Sequence, residues 1–206
     1  MSRQQHSITA FAALLVTLMC SAPWAHAGES EATSPLELIR EHHVFGRPNP
    51  EAPAQLSQFA FLIGDWSCTT KFMKQDGKTY REGTAEWIGV YTLDGCAIQD
   101  YWIGHGPQGK DYYGTNIRSY DQKTGKWTNR WLPAGTLQWS SFDSEMVDGK
   151  MVMIGGGGTS PRGDFISRNT FYEIGPDSWR WRQDRSYDQG KTWFEGVGFI
   201  DAKRNE

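Results

Sequence analysis

The sequence predicts an all-β fold, an antiparallel up-and-down barrel of about ten strands preceded by a short helical segment. Turn signals recur every ten to fifteen residues from Trp66 to Asp201: QDGK (Gln75–Lys78), LDG (Leu93–Gly95), QKTG (Gln122–Gly125), VDGK (Val147–Lys150), GPDS (Gly175–Ser178) and DQGK (Asp188–Lys191). Asp-Gly pairs and their relatives suit the tight reversals of hairpins, because glycine enters positive φ without steric cost. Between the turns, apolar and polar residues alternate with the period of a pleated strand. A sheet of that many even strands closes on itself and gains an interior.

Residues 1–27 read as a secretory signal peptide, with Arg3 in the n-region, an apolar run from Phe11 to Met19, and Ala25-His26-Ala27 as the cleavage site. Cys20 invites a lipoprotein reading, but Thr17-Leu18-Met19 lacks the small residues that lipidation needs. Cleavage after Ala27 would leave about 180 residues, enough for one domain, in the periplasm or outside the cell. Residues 28–53 comprise a linker and a short helix. Ser34 is the N-cap, Pro35 fills the first helical position and Glu37 completes a capping box. That helix is predicted to run to about His43 and stop before Gly46-Arg47-Pro48. The barrel domain is assigned to residues 54–203. It starts with a second helical segment, Ala54 to Phe61, whose Leu56, Phe59 and Ala60 share a face and are placed to plug the closed end.

Ten strands follow: 66–74, 79–91, 96–103, 112–121, 126–132, 136–146, 151–156, 165–174, 179–187 and 192–201. Two connections are longer, His105–Asp111 and Gly155–Gly163, and strand parity puts both at one rim. The glycine run in the second is read as a mobile lip. It is not a phosphate cradle, since no helix and no GK[ST] follow. The echo between Arg118-Ser119-Tyr120-Asp121 and Arg185-Ser186-Tyr187-Asp188 is one turn solution used twice.

Composition removes several partners. Net charge is −3 with both signs interspersed, so no basic stripe exists to meet nucleic acid. No apolar run is long enough for a membrane span. Ten tryptophans are more than strand packing needs; aromatic girdles and tight interiors explain them, and so does an aromatic-lined pocket. Cys68 and Cys96 remain after cleavage, and export permits a disulfide. One intervening strand sets their Cα atoms ~9.6 Å apart, beyond the ~7 Å a bridge spans, although barrel curvature shortens the gap.

Phe61-Leu62-Ile63-Gly64-Asp65-Trp66 carries the G-x-W pattern of a first barrel strand, with Gly64 and Trp66 as its structural residues. With Gly83-Thr84-Ala85-Glu86-Trp87, Leu93-Asp94-Gly95-Cys96-Ala97-Ile98-Gln99-Asp100 and Gly114–Asp121, the chain resembles a bacterial calycin-like family of unknown function. The resemblance covers Ala54 to Phe199 and implies a lipocalin- or fatty-acid-binding-protein-like barrel, with no catalytic residues to carry over. Related ten-stranded barrels include haem-binding nitrobindin-like proteins, whose haem needs an axial histidine.

Candidate cavity or rim residues are Trp87, Asp100, Trp102, His105, Asn116, Arg118, Arg130 and Trp131. Alternation sorts each strand into two faces but does not say which is inside. An arginine beside a buried carboxylate suits a ligand bearing a carboxylate or carbonyl; its structural alternative is a plain ion pair. His105 is the sole histidine of the barrel and is assigned to a rim loop, which disfavours haem. His42 and His43 are adjacent and face apart, and neither HExxH nor CxxC occurs, so no metal and no cofactor are expected. The first functional reading is an exported barrel holding a small apolar or amphipathic molecule. A cofactor-free lyase, isomerase or hydratase in the same cavity is the second, and a filled barrel acting through its surface in the cell envelope is the third.

Overall fold

The computed structural model describes residues 34–106 and 109–206. The expected signal peptide, the linker through Thr33, and Pro107-Gln108 of the His105–Asp111 connection lie outside the described residues. Helix α1, Pro35–Glu41, begins with the expected capping box, Ser34 Oγ accepting from the Glu37 amide while Glu37 accepts from the Ser34 amide. It ends with His42 as its C-cap, a residue earlier than the sequence implied. The second segment is a 3₁₀ helix, Ala54–Leu62.

Ten strands then run β1 Gly64–Met73, β2 Tyr80–Thr92, β3 Ala97–His105, β4 Asp111–Asp121, β5 Lys126–Pro133, β6 Ser140–Val147, β7 Lys150–Ser160, β8 Gly163–Tyr172, β9 Ser178–Ser186 and β10 Phe194–Arg204. Each pairs antiparallel with its neighbours in sequence, and β1 pairs with β10, so the sheet is a closed barrel. The Asp-centred turns account for the hairpins chemically. Asp76, Asp121 and Asp188 each accept from nearby backbone amides and from the hydroxyls of Thr79, Thr124 and Thr192. The first two share one pattern, the Asp accepting from the amide two residues on and from the threonine three residues on. At Asp188 the threonine is four residues on and Ser186 Oγ accepts from the Gly190 amide, so the sequence echo is not one turn used twice.

Three strand assignments need correction. β6 begins at Ser140 and not at Thr136, because the Leu137 amide donates to the Pro133 carbonyl at 2.9 Å in a turn. The Gly155–Gly163 stretch is not a loose lip: β7 continues through it to Ser160 and reverses at Pro161-Arg162. Its register slips between Gly155 and Gly157, where Gly155 (φ +137°) and Gly156 (φ +52°) form a bulge. A Cβ on Gly156 would fall 2.4 Å from the Phe142 ring, so the glycines let β7 pass close to β6. His105 is the last residue of β3, in register with Asp111, and not a loop residue.

The possible Cys68–Cys96 disulfide is absent, and both thiols are free. Cys68 faces Ala85 across β1–β2, and Ala85 faces Gly104 across β2–β3, eight positions along the chain from Cys96. At ~3.3 Å per residue the two lie ~26 Å apart along the strand direction, a distance no curvature removes. Burial pushes the Cys68 thiol up, with Asp65 and Glu86 adding to the effect, so it stays protonated.

The 3₁₀ helix closes one end. Its Leu56, Phe59 and Leu62 are buried in the barrel core. Trp66 is fully buried and its indole Nε1 donates to the Leu62 carbonyl at 3.0 Å. Arg204 of β10 lies 4.0 Å over the Trp66 ring and donates through Nη1 to the Ile63 carbonyl at 3.0 Å. The segment crosses β2 where a Cβ on Gly89 would meet the Leu62 carbonyl oxygen at 2.0 Å. Outside the wall, Arg40 of α1 pairs with Asp65 and Glu86, which places α1 against the outer face of β2. On that same outer face Ile88 and Val90 are buried, and Phe45 O accepts from the Tyr91 amide at 2.8 Å. None of the described helices is long and apolar enough to cross a membrane.

Candidate functional site

The 3₁₀ helix fills only its own half of the interior. Near it Phe59, Trp127, Phe171 and Trp179 pack edge to face, with Phe59–Trp127 centroids 4.8 Å apart and Phe171–Trp179 centroids 5.4 Å apart. Above them, toward the end where β3 meets β4 and β7 meets β8, a cavity of about 270 Å³ remains. Trp87 and Phe171 belong to both regions, since they touch the packed layer and line the cavity.

The structure settles which strand face is inside. Trp87, Trp102, Asn116, Arg118 and Trp131, all candidates from the sequence, line the cavity together. Cross-strand register brings them together: Trp87 pairs with Trp102 and Asn116 with Trp131. Gly114 makes room, because a Cβ there would lie 2.0 Å from the Trp131 ring. Asp100 is fully buried beneath them and forms an ion pair with Arg118, itself 1 % exposed. The Arg118 guanidinium also lies 5.0 Å over the Phe59 ring. Asn116 completes the cluster. With its amide oriented to match donors to acceptors, its oxygen accepts from Arg118 Nη2 at 3.2 Å and its nitrogen donates to the Arg130 carbonyl at 3.3 Å. Desolvation pulls the Arg118 pKa down to about 9, which leaves it charged at neutral pH opposite Asp100.

His105 and Arg130 are not in the cavity. His105 sits on the outer wall, Nδ1 3.1 Å from Asp111 and Nε2 3.2 Å from Glu86. Its bond to Asp111 raises its pKa above the ordinary 6.5, burial opposes this, and Glu86 adds to the rise. Arg130 points outward and bonds Ser141.

Sequence reasoning missed the far wall. Phe72, Phe142, Phe171 and Trp181 supply aromatic surface, Tyr112 stands at the rim, and Met153 and Ile200 add aliphatic surface. Asn169 and Gln183 face each other across β8–β9, Gln183 Nε2 donating to Asn169 Oδ1 at 3.2 Å. Trp179, Trp181 and Gln183 alternate on one face in sequence; what lacked a signal was the register that sets them opposite Trp87 and Trp102.

No protein-family model and no curated protein matches this chain. Among solved structures it is similar to the S-type phycobiliprotein lyase from Guillardia theta, at 13% identity and a TM-score of 0.48, over 73% of this chain and 92% of that one.

Proposed function

We propose that this chain is an exported, calycin-like barrel that binds a small, mostly apolar molecule in the half of its interior that the 3₁₀ helix leaves open. The observation that carries this reading is the cavity of about 270 Å³, walled largely by aromatic rings and backed by a fully buried polar cluster. Barrels without a ligand to hold fill their interiors with side chains, and the other half of this barrel is filled in that way. A concave, apolar site with a few convergent polar groups is the usual form of a small-molecule site. The sequence pattern of residues 1–27 supports export, with Gly28 as the mature N-terminus.

Native mass spectrometry on protein purified from its own host tests both parts. A bound species of discrete mass that leaves on denaturation, on a chain starting at Gly28, is the expected result. Protein that carries nothing, and whose tryptophan emission ignores a panel of hydrophobic probes, would end the binding reading. An intact mass that retains residues 1–27 would end the export reading.

A further inference from the structure

Among the described residues, Arg118 is the one charged side chain lining the cavity, and its charge is already met. Asp100 lies against the guanidinium with neither residue more than 1 % exposed, so the pair is electrically neutral toward the cavity. An anionic ligand would place a second carboxylate on one cation, after losing its own hydration, with no new counter-charge to compensate. The remaining polar lining is uncharged. The Gln183–Asn169 bond uses one donor and one acceptor, leaving the Gln183 oxygen to accept and the Asn169 nitrogen to donate. Tyr112 stays a phenol, since burial raises its pKa further. Eight of the fourteen lining residues are aromatic, and their faces suit a flat ring.

Building on the binding reading above, we propose that the cavity selects an uncharged, ring-bearing molecule with a hydrogen-bonding edge, such as a phenol, a cyclic ketone or a lactam. It rejects carboxylates, and Asp100 sets that selectivity by neutralising Arg118. Asp100 thus acts as a positioning and charge-setting residue beneath the ligand.

Calorimetric titration of the mature chain with naphthol and naphthoate at neutral pH is the test. The two probes share a ring system and differ in charge. Naphthol is expected to bind at least about tenfold more tightly, given the cost of an uncompensated buried charge. In Asp100→Asn, Arg118 is left without its partner, and the preference should shrink or invert toward naphthoate. Should that variant fail to fold, the double replacement Asp100→Leu/Arg118→Leu removes both charges and should keep the preference for naphthol. Naphthoate binding as tightly as naphthol to the unaltered chain would overturn the proposal. So would a folded Asp100→Asn that keeps the original preference. If neither probe binds but an aliphatic alcohol does, the ring requirement is wrong. If nothing binds, the container reading itself falls.

Discussion

In the half of the barrel nearest the 3₁₀ helix, Trp66, Trp127, Phe171 and Trp179 interlock with Phe59 and Leu62, and none is more than 5 % exposed. In the other half Phe72, Trp102, Trp131, Phe142 and Trp181 surround open volume. The two halves draw on the same residue types from the same ten strands, so strand composition does not distinguish them. What differs is the short segment that enters one end. Three apolar side chains from outside the sheet, Leu56, Phe59 and Leu62, turn an aromatic ring of wall into a solid layer. Where no such segment enters, the same kind of wall encloses a cavity.

Truncation should therefore cost far more on one side than on the other. Phe59→Ala is expected to lose about 3–5 kcal/mol of unfolding free energy, through lost burial and a cavity its rigid neighbours cannot collapse into. Trp131→Ala, at a partly exposed position on the cavity wall, is expected to lose only about 1 kcal/mol while reducing probe binding. Urea unfolding of both variants measures the contrast, and equal losses would mean that the halves are equally packed.

Next in size is Gly89→Ala. Its Cβ would meet the Leu62 carbonyl oxygen at 2.0 Å, an obstacle of backbone and not of a flexible side chain, and must displace the plug. A loss of about 1–3 kcal/mol is expected, together with exposure of Trp66 to fluorescence quenchers. An unchanged midpoint would show that the plug can shift freely.

Gly114→Ala is the matching change in the open half. There the obstacle is the Trp131 ring, at 2.0 Å, and a ring beside a cavity has somewhere to go. Stability should fall by less than for Gly89→Ala, while probe affinity changes as Trp131 swings; a stability loss as large as at Gly89 would refute the difference.

The smallest effect is outside the wall. His105 has a folded pKa above 6.5 because it bonds Asp111 and Glu86, so its contribution is present below 6.5 and is lost as pH rises through the raised value. The unaltered chain should melt slightly lower on the alkaline side of that range, by no more than about 2 °C for an exposed pair. His105→Gln should flatten the slope and leave probe binding unchanged, in keeping with a residue outside the cavity. Altered probe binding would mean that the wall transmits the change inward.

These contrasts also explain what was legible beforehand. Most strands were readable, because Asp-centred turns mark their ends locally, as Asp76, Asp121 and Asp188 show in contact with their threonines; the connection between β5 and β6 carries no such mark. The pairing of Trp87 with Trp102, and of Asn116 with Trp131, follows from short hairpins whose register the turns dictate. Less accessible was which face turned inward on β2, where both faces are apolar in part. Ile88 and Val90 are buried on the outside because a segment more than forty residues upstream lies over them, a non-local fact. The glycine run of β7 misled for a related reason. Glycine there serves a close strand approach with a bulge, and flexibility and close approach leave the same mark in sequence. Arg130 neighbours Trp131 on β5, so only one of the two can face inward, and alternation alone does not say which; His105 lies at a strand end that the sequence reads as a rim loop.

The seam between β1 and β10 has a kinetic consequence. Trp66 sits opposite Arg204, so the first and last strands must find each other across nearly the whole barrel sequence. Every other pairing joins neighbours in sequence and can form as the chain grows. Until Arg204 arrives, the sheet carries two raw edges and the Trp66 ring lacks the guanidinium that covers it. Closure therefore carries the largest chain-closure cost of any pairing in the barrel and is expected to form last, with edge-to-edge aggregation as its competitor until it does.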